Sequence, residues 1–302
     1  MSMGFRRHST SPLQMNILLI FGLVVAWLAS LHIGLHFYSP KVVWGALQDA
    51  KTAEDLVITR LRLPRSIIAI TCGALLGLSG LHLQSVTRNP LAEPGLLGVN
   101  TGAAFAVVLA LTLTGTTNLW EIALAAFLGA ILTMLVVFTV SGSLHKGMSP
   151  VAVLLAGVTL AAMLSSLTQL VLITNESALE DLLFWLAGSF ADRELALLQL
   201  ALPVLLTGML ATLYFAGSLD AMKMDDESAA ALGVAVLPTR LGFLALGASL
   251  AAAAVAIAGP IVFLGLVAPH LAKRITPNTG HASLAVTTVL LAAVLAHPCW
   301  CH

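Results

Sequence analysis

Long apolar runs broken by short polar stretches set the pattern of this 302-residue chain. A helix needs roughly 20 residues to cross a hydrocarbon core about 30 Å thick. Runs of about that size recur near 15–36, 66–87, 96–116, 119–141, 150–173, 195–216, 239–258, 260–273 and 282–297. The pattern predicts an all-α polytopic membrane protein with about nine spans, forming a single domain over 1–302. The eighth run is short: Leu241 to Ala272 lacks charge, and Gly259 with Pro260 breaks it. A short second helix and a re-entrant hairpin both fit there. The breaks carry turn chemistry, as in "RNPLAEPG" at 88–95, "GTTN" at 115–118 and "HKGMSP" at 145–150. Such backbone belongs at the bilayer surface or within protein, because lipid cannot satisfy free amides.

Composition agrees, with 59% hydrophobic and 9% charged residues against about 25% charged in soluble domains. A formal net charge of zero gives no field directed at nucleic acid. Cys72, Cys299 and Cys301 imply no disulfide framework. Met15 to Leu35 exceeds a typical signal core of ~7–15 residues, so it reads as an uncleaved first span. Arg6 and Arg7 before it place the N-terminus in the cytoplasm.

That orientation sorts the remaining charges. Arg6, Arg7, Arg88, Lys146, Lys223, Arg240, Lys273 and Arg274 fall inside; Lys41, Lys51, Arg60, Arg62, Arg65 and Arg193 fall outside. The first outer loop is the exception to a positive-inside distribution. Its arginines could anchor lipid phosphates, or pair through their forks with an acidic soluble partner.

Other polar features have structural readings first. Gly73, Gly77 and Gly80 permit close helix approach. Gln84 suits an interhelical hydrogen bond. Asn89, Pro90, Pro94, Gly95 and Gly98 make a rigid bend. Gly259, Pro260, Pro269 and His270 punctuate the last block, with His270 as a capping or interfacial residue. "NESALEDLLFWLAGSFADRE" reads as an interfacial helix before the sixth span. His297, Cys299, Cys301 and His302 are packed too closely for common zinc spacing, so no metal is assigned. Intramembrane carboxylates, which ion-coupled transporters and membrane-embedded enzymes keep at functional positions, are missing from the middles of the expected spans. His82 and Cys72 are the titratable groups well inside.

From Arg62 the chain reads "RLPRSIIAITCGALLGLSGLHLQSVTRNPLAEPGLLGVNTGAAFA", and later "FWLAGSF" at 184–190, "ESAAALGV" at 227–234 and "AGPIVFLGLVAPHLAKRI" at 258–275. In this order the segments resemble the iron-siderophore and vitamin B12 permeases, the membrane subunits of type II ABC importers (FecCD-like), and most of all the siderophore branch. The resemblance implies a transport protein rather than an enzyme, in the bacterial inner membrane among its lipids. Its partners would be a second permease (an identical or a different chain), an ATP-binding cassette ATPase dimer carrying the ATP and Mg, and a periplasmic ferric-siderophore-binding protein. This chain has no phosphate-binding loop and would need no cofactor of its own. Arg62 and Arg65 match the outward arginines that meet glutamates of the binding protein. Segment 217–240 matches the cytoplasmic coupling loop, with Asp226, Glu227, Ala230, Leu232 and Gly233 in its core. Relatives begin that helix with L-G-[DE] where this chain has Met224, Asp225 and Asp226. They also continue past "HP" into a tenth span, so the resemblance implies a C-terminal truncation and a chain that could be non-functional.

Overall fold

Helix α1 (Pro12–His32) starts where Ser11 and Gln14 close a reciprocal cap, each side chain bonding the other's backbone N–H. The computed structural model describes residues 11–34, 36–49, 52–116, 118–142, 150–186 and 195–297, and every regular element among them is helical. Short α2 (Pro40–Gln48) and α3 (Ala53–Leu56) lead through a π-helical turn, Val57–Arg62, into α4 (Leu63–Thr87). Then follow α5 (Val99–Thr114), α6 (Leu119–Val140), α7 (Pro150–Ile173), α8 (Glu176–Leu186) and α9 (Leu198–Tyr214). The polar segment holds α10 (Ala216–Ala221) and α11 (Asp226–Ala231). The described part closes with α12 (Val236–Ala258), α13 (Leu264–Ile275) and α14 (His281–Ala296).

Helix α4 is the axis of the assembly, packed against α12, α13 and α14 and buried over most of its length. Its glycines make this possible. A Cβ on Gly73 would lie 2.6 Å from the Ala292 carbonyl oxygen of α14, and one on Gly77 would press on Ala292 and Thr288. A Cβ on Gly80 would collide with the Gly265 backbone of α13. Close backbone approach is the usual way membrane helices gain contact when lipid is as apolar as their side chains. The alanine run 251–254 on α12 supplies the same smoothness on another side. In contrast, α1, α7 and α9 leave broad apolar faces exposed.

The nine expected spans are not matched by nine helices of spanning length. Six described stretches are long and apolar enough: Pro12–His32, Ala53–Thr87, Leu119–Val140, Val151–Ile173, Leu195–Tyr214 and Val236–Ala258. The third, eighth and ninth are shorter, with 16, 12 and 16 residues in α5, α13 and α14. Backbone chemistry sets the limits. Gly98 and Gly115, at φ 80° and 62°, bound α5, and Gly259, at φ 81°, ends α12. The chain then runs irregularly to Phe263, itself at φ 70°. At 1.5 Å per residue α13 reaches only about 18 Å. The short-helix alternative for the eighth run is what forms.

The acidic segment expected outside gives α8, which buries Ala178, Leu182 and Trp185 against α5 and α7 and exposes Leu183. Residues 187–190 of "FWLAGSF" and the tail residues Cys299, Cys301 and His302 lie outside the described residues.

Candidate functional site

The polar segment 217–240 is fastened to the helical core by two carboxylates. Asp225 caps α11, accepting from the Ser228 N–H at 2.6 Å. Gly233, at φ 84°, closes the helix, and the Val234 N–H returns to the Ala229 carbonyl. The helix therefore starts one residue after Asp225, which fixes the register that the Met-Asp-Asp start leaves open in the sequence. In its first turn, Asp226 binds two arginines from different helices. Arg88, just beyond α4, meets it at 2.7 Å, and Arg240 of α12 at 2.9 Å. Arg88 also donates to the Met222 carbonyl at 2.8 Å. Its φ of 51° directs the side chain back toward the segment.

The second fastening is Asp220 of α10. It accepts from the backbone N–H of His281, at the start of α14, and from the His281 ring at Nδ1, 2.8 Å away. Nε2 of that ring meets the Ser85 hydroxyl of α4 at 2.9 Å, and Lys223 binds Asp220 at 2.7 Å. Burial pushes the Asp220 and Asp226 carboxyls up, but their cationic and hydrogen-bond partners outweigh it. Both are held below the ordinary carboxylate value, and Asp225 is lowered by its bonds to Ser228. All three are acceptors at neutral pH. The segment is thus tied to α4, α12 and α14.

Its other face is bare. Glu227, Ala230 and Gly233 are exposed, as is 66% of Leu232. Met224 and Leu237 add apolar surface nearby. The segment therefore carries an exposed apolar tip beside the carboxylates that anchor it. The sequence named Asp226 but missed Asp220, Arg88, Arg240 and His281 as its companions. The alternating charges of "LDAMKMDDES" were the available signal.

The bend after α4 is more than a surface turn. Asn89 Oδ1 accepts from the Leu91 N–H, Pro94 packs on Gly265, and Gly95 begins a 3-10 turn ending at Gly98. Between them Glu93 is only 4% exposed, and its Oε1 accepts from the Phe263 N–H at 2.6 Å. A carboxylate therefore caps α13 from inside the protein. The expected spans have uncharged middles, yet this loop carries an acid into the interior, where it is spent on backbone. Gln84 bridges to α13, donating to the Leu266 carbonyl and accepting from Lys273. Pro269 is buried, Pro260 is half-buried and His270 is exposed. His82 is fully buried against Thr212 at 2.6 Å and edge-on to Phe243.

On the far side, the two motif arginines differ. Arg62 donates to the carbonyls of Leu31 at 3.0 Å and His36 at 2.7 Å, with its guanidinium over the Tyr38 ring. It pins the loop between α1 and α2. Arg65 is half-exposed and has no ion-pair partner among the described residues, and Arg60 is exposed.

Known proteins resemble this chain in sequence and in fold. The pattern of the FecCD transport family matches residues 22–299. The ferric enterobactin transport system permease protein FepD of Escherichia coli (strain K12) is 40% identical over 281 residues, 92% of this chain and 83% of FepD. The ferric enterobactin transport system permease protein FepG of the same organism is 36% identical, over 92% of this chain and 86% of FepG. A solved metal-chelate type ABC transporter in an inward-facing conformation superposes with a TM-score of 0.80 at 31% identity, covering 94% of this chain and 88% of that one.

Proposed function

The chain belongs to the FecCD transport family, and from that premise we propose that it is the permease subunit of an ATP-driven importer of ferric siderophores in the bacterial inner membrane. The observation that carries this reading is the anchored segment 217–240. Its apolar tip at Leu232 suits a cleft on a separate ATPase, and Asp220 and Asp226 tie it rigidly to three core helices. Motion of the ATPase would reach α4, α12 and α14 through those two carboxylates. ATP and Mg belong to that partner dimer. A second permease subunit would complete the pathway against the exposed apolar faces.

Ferric siderophore is the favoured cargo because two ferric enterobactin permeases are among the relatives, at 40% and 36% identity over 92% of this chain. An intact, already chelated ligand needs no metal-gripping side chains from the permease. Excess positive charge in the segments taken as inner supports a cytoplasmic N-terminus. Arg65 would meet an acidic binding protein outside, with Arg62 shaping the surface around it.

Reconstitution with a FecCD-type ATPase, second permease and binding protein that support uptake by the parent chain tests the reading. Leu232→Glu should leave the helical content unchanged but cut binding-protein-stimulated ATP turnover and ferric-siderophore uptake together, by at least tenfold. Undiminished uptake by that variant would refute the docking role of the tip.

A further inference from the structure

A cavity of about 410 Å³ opens beside the anchored segment, between the ends of α4, α13 and α14. Arg88, Lys223 and Lys273 line it, and no carboxylate does. We propose that this cavity binds a phosphate ester anion, supplied either by the headgroup of an anionic phospholipid or by a small soluble phosphate.

The charge balance supports an anion. Asp226 already serves both Arg88 and Arg240, and Asp220 serves both Lys223 and His281. Lys273 has no carboxylate within ion-pair distance among the described residues; its ammonium meets only the neutral Gln84 Oε1, at 3.1 Å. An ammonium carries three N–H donors, so two are left for a ligand. Asp220 and Asp226 offset only part of the positive charge of the two lysines and two arginines gathered here, and phosphate oxygens are strong acceptors for such groups. Ser85 adds a hydroxyl at the rim, while Leu284 gives an apolar wall suited to a glycerol or acyl stem. The cavity lies where three core helices end, among the polar residues that bound them. Nothing here depends on the cargo.

The test uses the purified full chain in neutral detergent. Its thermal midpoint is followed while dihexanoyl phosphatidylglycerol, dihexanoyl phosphatidylcholine or inorganic phosphate is titrated in. Phosphatidylglycerol should raise the midpoint with half-saturation at least tenfold below that of phosphatidylcholine. Lys273→Gln, which keeps a partner for Gln84, should raise that half-saturation about tenfold. Lys223→Gln, at an exposed side chain, serves as the second variant should Lys273→Gln not fold. Lys41→Gln, far from the cavity, should match the parent protein. A Lys273-dependent response to phosphatidylglycerol alone identifies the lipid source, and an equal response to inorganic phosphate identifies the soluble one. Identical titrations for parent and both lysine variants would overturn the proposal. So would the lack of any response together with a loss of ATPase assembly in Lys273→Gln, which would assign the cavity to an acidic side chain of that partner.

Discussion

Arg62 and Arg65 stand one helical turn apart and end in different company. A guanidinium bonded to two carbonyls is committed to its own chain; hydrogen bonds to charged groups contribute about 1.5–3 kcal/mol each. Arg62→Glu should therefore lower the thermal midpoint measurably by opening the α1–α2 loop. Arg65→Glu should leave the midpoint unchanged while weakening binding-protein capture roughly tenfold, the effect of about 1.4 kcal/mol; surface plasmon resonance with the protein in nanodiscs separates the two. The sequence showed both arginines but not this division, because carbonyl partners such as Leu31 and His36 carry no signature of their own. Asp226 allows a prediction with a sign. Its folded-state pKa lies below the ordinary 3.8, so its stabilising contribution is complete above that value and is lost only as pH falls through the lower one. Protease protection of segment 217–240 should be flat from about pH 5 to 8 and fall only in stronger acid.

Elements were legible where periodicity and punctuation agreed. Gly73, Gly77 and Gly80 announced a helix face for close packing, and α14 and α13 occupy it. Gly80→Leu should prevent assembly, since the obstacle is the backbone of Gly265 and no side chain can step aside. Gly22→Leu, in open space on α1, should be tolerated; monodispersity in size-exclusion chromatography distinguishes them. Most of the anchoring of the polar segment was not legible, because Asp220 meets His281 61 positions away and Asp226 meets Arg88 138 positions away. Asp226→Asn keeps the shape but leaves Arg240, only 8% exposed, without its counter-ion. Asp226 is itself half-exposed, but a buried arginine left without its partner costs more than the pair contributes. ATP turnover should continue in that variant while uptake falls, which parallel ATPase and transport assays would register.

At the scale of the molecule, composition and run length gave membrane class and helical architecture correctly, while six of the nine expected spans have full spanning length among the described residues. Hydropathy counts apolar residues but cannot see that α13 is only 12 residues long. Sidedness has its own test: cysteines placed at positions 60 and 223, in a background with Cys72, Cys299 and Cys301 all changed to alanine, should react with impermeant maleimide from opposite faces of the cell. The break between α12 and α13 matters before the protein ever works. Residues 259–263 have few hydrogen bonds of their own, and the first turn of the following helix is capped by Glu93, laid down 170 residues earlier. A ribosome delivering this hairpin into an empty bilayer would present exposed amides to oil. Its entry must wait until α4 and the turn after it stand ready to receive it, which makes the last third of the chain a guest of the first.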